Sequence, residues 1–396
     1  MQIDPNLTAK LSYVKKETVP VILYSRQTIA DIRGCISENY GQIKYELPFI
    51  NAVAVELSKE KLHSVSGHRM IQMISDDALV TKVGRSGPPK DGAGAARPGA
   101  RTAGYDVQCP ARQDRELDRC RGMGTGIAFI DTGIAPHYDL IYPENRIIAF
   151  RDFINGRSMP YDDDGHGTHV AGIAAGNGFC SGRYAGTAPC ASLIGVKALD
   201  DKGNGTTSDI LAALQWIIDN RRRYNIRVVN LSLGVPTDLS YGEDPLIKGA
   251  NAAVACGLTV VAAAGNSGPG RGTINSPGTS PYVITVGAAD AADASVADFS
   301  SRGPTSRGFL KPDLLAPGVD IVSLDYRNPR GYAVESGTSM ATPCVAGAAA
   351  CLYSMRPSLT PALIKRILLQ STIPLHTEPY NAQGRGVLNY ETFFAL

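Results

Sequence analysis

From Gly122 onward, runs of β-branched and apolar residues recur between helical patterns, and no other feature narrows the fold as much. G-I-A-F-I-D-T-G, A-S-L-I-G-V-K-A-L, R-V-V-N-L-S-L-G, L-T-V-V-A-A-A-G-N and Y-V-I-T-V-G-A are apolar at consecutive rather than alternate positions. A strand that is apolar on both sides has to be covered on both sides, which is the condition of a parallel strand under helices. D-I-L-A-A-L-Q-W-I-I-D-N and P-L-I-K-G-A-N-A-A-V-A-C-G supply such helices, the second closed by a C-terminal Gly. The pattern predicts an α/β fold with a mostly parallel sheet. Open sheets of this kind collect their chemistry at the carboxyl ends of strands.

Residues 19 to 75 follow a different order. V-P-V-I-L-Y reads as a strand, T-I-A-D-I-R-G-C-I-S as an amphipathic helix, and Q-I-K-Y-E-L and F-I-N-A-V-A-V-E-L as two more strands. S-K-E-K-L-H-S-V is then a short helix opened by a capping serine, and M-I-Q-M-I a last strand. This βαββαβ order is the ferredoxin-like split unit, a small α+β domain that hosts many unrelated tasks. Between the two units, G-R-S-G-P-P-K-D-G-A-G-A-A-R-P-G-A-R has no periodicity and reads as a flexible, solvated linker. Its arginines admit a second reading, as a mark for an anionic partner or a cleavage site. The division is residues 1–76, 77–116 and 117–396.

The chain of 396 residues is 43% hydrophobic and 19% charged, with a net charge of +2, so it can build a large core and carries no global field. Neither a nucleic acid nor a membrane surface is implied as a partner. The first residues, M-Q-I-D-P-N-L-T-A-K-L-S-Y-V-K-K, lack the apolar stretch of a secretory signal, and the cytoplasm is the expected location, ahead of the cell exterior. Eight cysteines are scattered without a C-x-x-C pair, which suits reduced thiols better than disulfides or a zinc site.

Three positions carry candidate chemistry. Asp131 ends the run G-I-A-F-I and precedes a T-G turn; His166 starts a small-residue helix within D-D-D-G-H-G-T-H-V-A-G; Ser339 lies in G-T-S-M-A-T-P-C. Taken singly, each has a plain reading as a turn or capping residue. His166 and His169 could ligate a metal, but the zinc-helix pattern needs a spacing of four and a Glu between, and both are absent. The acidic run Asp162 to Asp164 reads first as a solvated loop and second as a seat for basic substrate side chains. G-M-G-T-G at 122–126 precedes a strand instead of following one, which removes a dinucleotide site.

Taken jointly, Asp131, His166 and Ser339 occur in the chain order Asp, His, Ser of the subtilisin triad. Through D-T-G, H-G-T-H-V-A-G and G-T-S-M-A-T-P, residues 117 to 390 resemble the subtilase family of serine peptidases, and the non-secreted bacterial members in particular. The resemblance implies the subtilisin-like fold with helices on both sheet faces, and a serine endopeptidase acting on proteins or peptides through an acyl-enzyme. It also implies Asn266 as the oxyanion donor, Ser232, Leu233 and Gly234 as the edge that pairs with a substrate, and Ala264 and Gly265 as small residues beside it. Residues 1–76 become a propeptide that inhibits the enzyme, I-S-D-D-A-L-V-T-K a tail along the cleft, and the stretch between Ser75 and Lys82 the expected site of self-processing. No cofactor is needed for this chemistry. The family's calcium loop is not evident in G-N-G-F-C-S-G-R-Y-A-G, so a structural calcium has no residues assigned to it. The competing reading is a catalytically silent binding or signalling protein of the same fold.

Overall fold

The computed structural model of the protein describes residues 2–13, 17–39, 42–84, 121–237, 243–390 and 392. The N-terminal unit runs β1 (Gln2–Ile3), α1 (Pro5–Tyr13), β2 (Thr18–Ser25), α2 (Ile29–Asn39), β3 (Ile43–Leu47), β4 (Ala52–Ser58), α3 (Lys59–Ser66) and β5 (Ile71–Asp76). Its sheet has the order β1-β5-β2-β4-β3 and is antiparallel except where β1 joins β5. The βαββαβ order is present, with one further strand and helix ahead of it. Ser58 Oγ accepts the Lys61 N–H and so opens α3. Leu23, Ile32, Ile36, Val53 and Leu62 fill the space between this sheet and its helices. β6 (Leu79–Lys82) follows directly, inside the stretch expected as a linker.

The large domain begins with β7 (Gly126–Asp131), α4 (Tyr138–Ile141), β8 (Ile147–Asp152), α5 (His166–Ala175), β9 (Ser192–Lys197), β10 (Asn204–Thr206), α6 (Thr207–Asn220), β11 (Ile226–Leu231) and β12 (Leu233–Gly234). It continues with α7 (Pro245–Ala255), β13 (Thr259–Ala263), β14 (Ile284–Asp290), β15 (Ser295–Val296), β16 (Leu314–Pro317), β17 (Ile321–Leu324) and β18 (Tyr332–Glu335). Then come α8 (Thr338–Met355), α9 (Pro361–Gln370), β19 (Thr372–Ile373), α10 (Tyr380–Gln383) and β20 (Val387–Leu388). The main sheet has the order β19-β20-β16-β14-β13-β11-β7-β9-β8. It is parallel from β8 to β20, while β15 and β19 attach antiparallel.

The doubly apolar strands are explained by two cores. Ile127 and Phe129 of β7 face the layer of α5 and α8, where they join Val170 and Val345. Ala128 and Ile130, the alternate positions, face α6 and α7 and join Leu211, Leu214 and Leu246. Each large side chain so buried contributes roughly 1.5–3 kcal/mol. Ile22, Tyr24, Leu47, Ala52 and Met73 of the N-terminal sheet belong to this second cluster, so the small unit covers α6 and α7.

β6 corrects the expected linker. It lies antiparallel between β10 and β12, with Leu79 to Thr81 opposite Thr206 to Asn204, and Thr81 and Lys82 opposite Gly234 and Leu233. A strand paired on both edges uses its backbone donors and acceptors fully, which the glycine- and proline-poor A-L-V-T-K permits. Residues 85–116, the rest of the expected linker, lie outside the described residues, as do 117–120. Among the described residues no helix is long and apolar enough to cross a membrane. Cys180, Cys190, Cys256, Cys344 and Cys351 form no disulfide.

Candidate active site

Asp131 is the last residue of the central strand β7, and His166 is the first of α5. The two elements meet because Gly167 has no side chain: a Cβ there would collide with the Gly133 carbonyl. Gly167 N–H donates to Thr132 Oγ1 at 2.9 Å, which fixes the start of α5 over the D-T-G turn. His166 Nδ1 then lies 2.7 Å from Asp131 Oδ1, with both side chains buried. Burial by itself would lower the imidazole pKa, but the charge and hydrogen bond of Asp131, with a smaller contribution from Glu335, outweigh it and hold His166 above the ordinary 6.5. At His169, three residues on, burial outweighs the raising charge of Glu335 and the pKa is lowered. Its Nε2 lies 3.2 Å from the Ala333 carbonyl, the position of a structural histidine.

Ser339 stands in the first turn of α8. Pro343, four residues later, has no N–H to give the Ser339 carbonyl, and Ser232 Oγ donates to that carbonyl instead at 3.0 Å. Ser339 Oγ donates to the Ser232 carbonyl at 2.9 Å. His166 Nε2 has no hydrogen-bond partner among the described residues. Asn266 follows β13 and is oriented by Thr338, whose N–H and Oγ1 donate to Asn266 Oδ1 at 3.0 and 3.1 Å. Its amide is thereby turned outward.

That amide donates to the Val83 carbonyl at 2.8 Å. Val83 N–H donates to the Ser232 carbonyl, and Lys82 N–H to the Gly203 carbonyl. Immediately after Val83, a Cβ on Gly84 would stand 2.8 Å from His166 Cδ2 and 3.0 Å from Nε2. The Val83–Gly84 peptide therefore lies between the Asn266 amide and the His166 ring, just beyond the Ser75 to Lys82 window. Of the residues expected along the edge, Ser232 bonds Val83, while Leu233 and Gly234 pair with Lys82 and Thr81. Ala264 is buried in the continuation of β13, with its N–H on the Val286 carbonyl, and Gly265 leads from it into Asn266.

Sequence reasoning missed two features. Asn275 lies against both Gly234 and Gly265, with its Oδ1 buried and unpartnered among the described residues. No local signal marks it, since its neighbours are distant in sequence. The acidic run is also not a solvated loop. Asp162 caps α5 through Gly165 N–H, Thr168 N–H and Thr168 Oγ1; Asp163 pairs with the buried Lys197 at 2.5 Å; Asp164 pairs with Lys82 at 2.6 Å. The D-D-D-G-H spelling held that signal, but only the fold supplies the two lysines.

Among the described residues, His137, Asp139 and Cys180 bring three potential metal donors within 4.8 Å of one another. Their hydrogen bonds are already made within the protein: Asp139 N–H to His137 Nδ1, Cys180 N–H to Asp139 Oδ1, and Tyr332 O–H to Asp139 Oδ2. Cys344, on the helix of Ser339, points into the core beside Tyr390 and Met340, and burial pushes its thiol up to about 12.

Comparison with known proteins gives a consistent result. The model described as the subtilase family (peptidase S8) matches residues 122–390. Serine protease AprX of Bacillus subtilis (strain 168) is 39% identical over 389 residues, covering 89% of this chain and 81% of that relative. Subtilisin E of the same organism is 32% identical, covering 93% of this chain and 87% of its own, and subtilisin DY of Bacillus licheniformis is 35% identical, covering 74% and 98%.

Proposed function

The chain belongs to the subtilase family and is a subtilisin-like serine endopeptidase, and from that premise we propose that Asp131, His166, Ser339 and Asn266 are its catalytic residues and that it is made as a self-processing zymogen. Ser339 Oγ exchanges its bond to the Ser232 carbonyl for one to His166 Nε2 and attacks the substrate carbonyl as His166 takes its proton. Asp131 accepts from Nδ1, keeps the imidazole in the tautomer that leaves Nε2 free, and stabilises the imidazolium. Asn266 Nδ2 and the Ser339 N–H hold the oxyanion. His166 then protonates the leaving amine, the acyl-enzyme forms, and water displaces it by the same steps in reverse.

In this reading residues 1–76 are the propeptide, residues 77–83 its cleft-bound tail, and Val83–Gly84 the bond cut in self-processing. The observation that carries it is the placement of Val83 O on the Asn266 amide with Gly84 beside the His166 ring. Peptide and protein chains bound as β6 is bound, by strand addition between β10 and β12, are the substrates. The test is the full-length Ser339→Ala variant. Wild type should process itself and hydrolyse casein, while the variant stays intact and inactive. If both show one processing pattern and neither cleaves casein, the protein is a silent member of its fold.

A further inference from the structure

Lys197 is the last residue of β9, in register with Asp131 of β7 on one side and Asp152 of β8 on the other. Its side chain is fully buried. Three acceptors surround the ammonium: Asp163 Oδ1 at 2.5 Å, the Thr132 carbonyl at 2.7 Å and the Leu199 carbonyl at 2.9 Å. An ammonium has three N–H groups, so each of them is matched. The centroid of the Tyr161 ring lies 5.4 Å from Nζ. A buried cation is tolerated only when its hydrogen bonds and its counter-charge are both supplied, and an apolar side chain of similar volume would close the end of a strand at least as stably. Stability alone does not account for a lysine here.

The three acceptors belong to the two turns that bring Asp131 and His166 together. Thr132 N–H donates to Asp131 Oδ1 at 2.8 Å, the same oxygen that faces His166 Nδ1, and Thr132 Oγ1 accepts the Gly167 N–H. The Asp131 carbonyl accepts the N–H groups of Ala198 and Leu199, so the Leu199 carbonyl is tied to the same strand end. Asp163 stands between the two carboxylates that fix the start of α5: Asp162 accepts from Gly165 and Thr168, and Asp164 Oδ1 accepts the His166 N–H at 3.1 Å. One ammonium thus joins the turn after Asp131 to the loop before His166.

We propose that Lys197 is a positioning residue for the reaction, and that its ammonium holds these two turns in the placement where Asp131 Oδ1 meets His166 Nδ1. It acts through Thr132 and Asp163. The inference rests on the assignment of Asp131, His166 and Ser339 made above. A bond of 2.7 Å between two buried side chains leaves little tolerance, and a misplacement of about 1 Å in such a constellation costs about 100-fold in rate. Substrate is held elsewhere, along β10 and β12, so loss of the clamp should act on turnover and spare binding.

The test compares wild type with Lys197→Met, which keeps the length of the stem and removes the ammonium. On a fluorogenic peptide kcat should fall about 10–100-fold, with KM within about twofold. A second readout needs no turnover. In full-length Ser339→Ala protein the Nδ1 proton of His166, bonded to Asp131, should give a far-downfield proton resonance. Adding Lys197→Met should speed its exchange with water at least 10-fold. Should Lys197→Met fail to fold, Asp163 decides: Asp163→Ala should lower kcat about 10-fold at unchanged KM, and Asp163→Asn, which keeps an acceptor for Nζ, should recover most of it. A folded Lys197→Met with kcat within about threefold of wild type overturns the proposal, as does a loss of kcat with the His166 resonance unchanged. So does full turnover in Asp163→Ala. Equal hydrolysis of casein by wild type and Ser339→Ala would instead overturn the assignment on which the proposal rests.

Discussion

The N-terminal unit meets the large domain twice, and the two meetings differ in kind. Its sheet joins α6 and α7 through a broad apolar cluster that includes Tyr24, Leu47, Met73, Leu211 and Leu246. A polar fringe is added by Tyr45 O–H on Asp209, Lys44 on Asp209, and Asp77, which accepts Ser208 N–H and Oγ–H at the head of α6. Its tail, β6 and Val83, adds Val80 to that cluster and is held by backbone pairing on both edges and by two polar anchors, Lys82 on Asp164 and the Val83 carbonyl on the Asn266 amide. On the proposed function, the sheet face supplies affinity without touching a reacting group, and the tail meets the proposed reacting groups through few side-chain anchors. Strong inhibition of a protease by its own chain needs both, because a tail alone would be cut and lost like any other substrate.

This separation predicts that changes beneath the tail cost turnover and changes beneath the sheet face cost affinity. The largest effect is expected for Asp131→Asn, which removes the partner of His166 Nδ1 and should lower kcat by about 10⁴-fold. It should also move the pH profile. A protonated His166 cannot take the Ser339 proton, so activity falls as pH drops through a pKa held above 6.5; without the Asp131 charge that raises it, the acid limb shifts to lower pH. Next, Asn266→Ala should lower kcat by about 10²–10³-fold, a magnitude drawn from subtilisin itself, with KM nearly unchanged in peptide assays. On the other side, Asp77→Ala removes a helix cap of about 1–2 kcal/mol. It should weaken inhibition by the cleaved N-terminal fragment about 5–30-fold and leave peptide turnover by the free enzyme unchanged. The smallest effect, none, is expected at Cys344. Five residues from Ser339 on one helix places it about 140° around the axis, in the core. Bulky thiol reagents should leave it unlabelled and the enzyme active, as mass spectrometry of the treated protein would report.

The parts of this arrangement readable from the sequence are those encoded in local pattern. Consecutive apolar positions such as Ile127 to Ile130 and Val260 to Ala263 announced strands buried on both faces, and the capped S-K-E-K-L-H-S-V announced α3. Asp131, His166, Ser339 and Asn266 stand out in the sequence through the family resemblance that short glycine-rich motifs carry, and the roles proposed for them start from it. What escaped were pairings between residues far apart in the chain. Lys82 and Asp164 are 82 positions apart, and either alone is an ordinary surface charge. A-L-V-T-K carries too little apolar pattern to declare a strand, because its stability as β6 comes from two edges contributed by the other domain. Asn275 gave no sign for the same reason.

The most direct test is the mass of the N-terminal fragment released by wild-type protein at the earliest stage of self-processing. The placement of Val83 on the Asn266 amide predicts a fragment of residues 1–83, leaving an enzyme that begins at Gly84. A first fragment ending at any other residue, or active enzyme that still carries Met1, would contradict it.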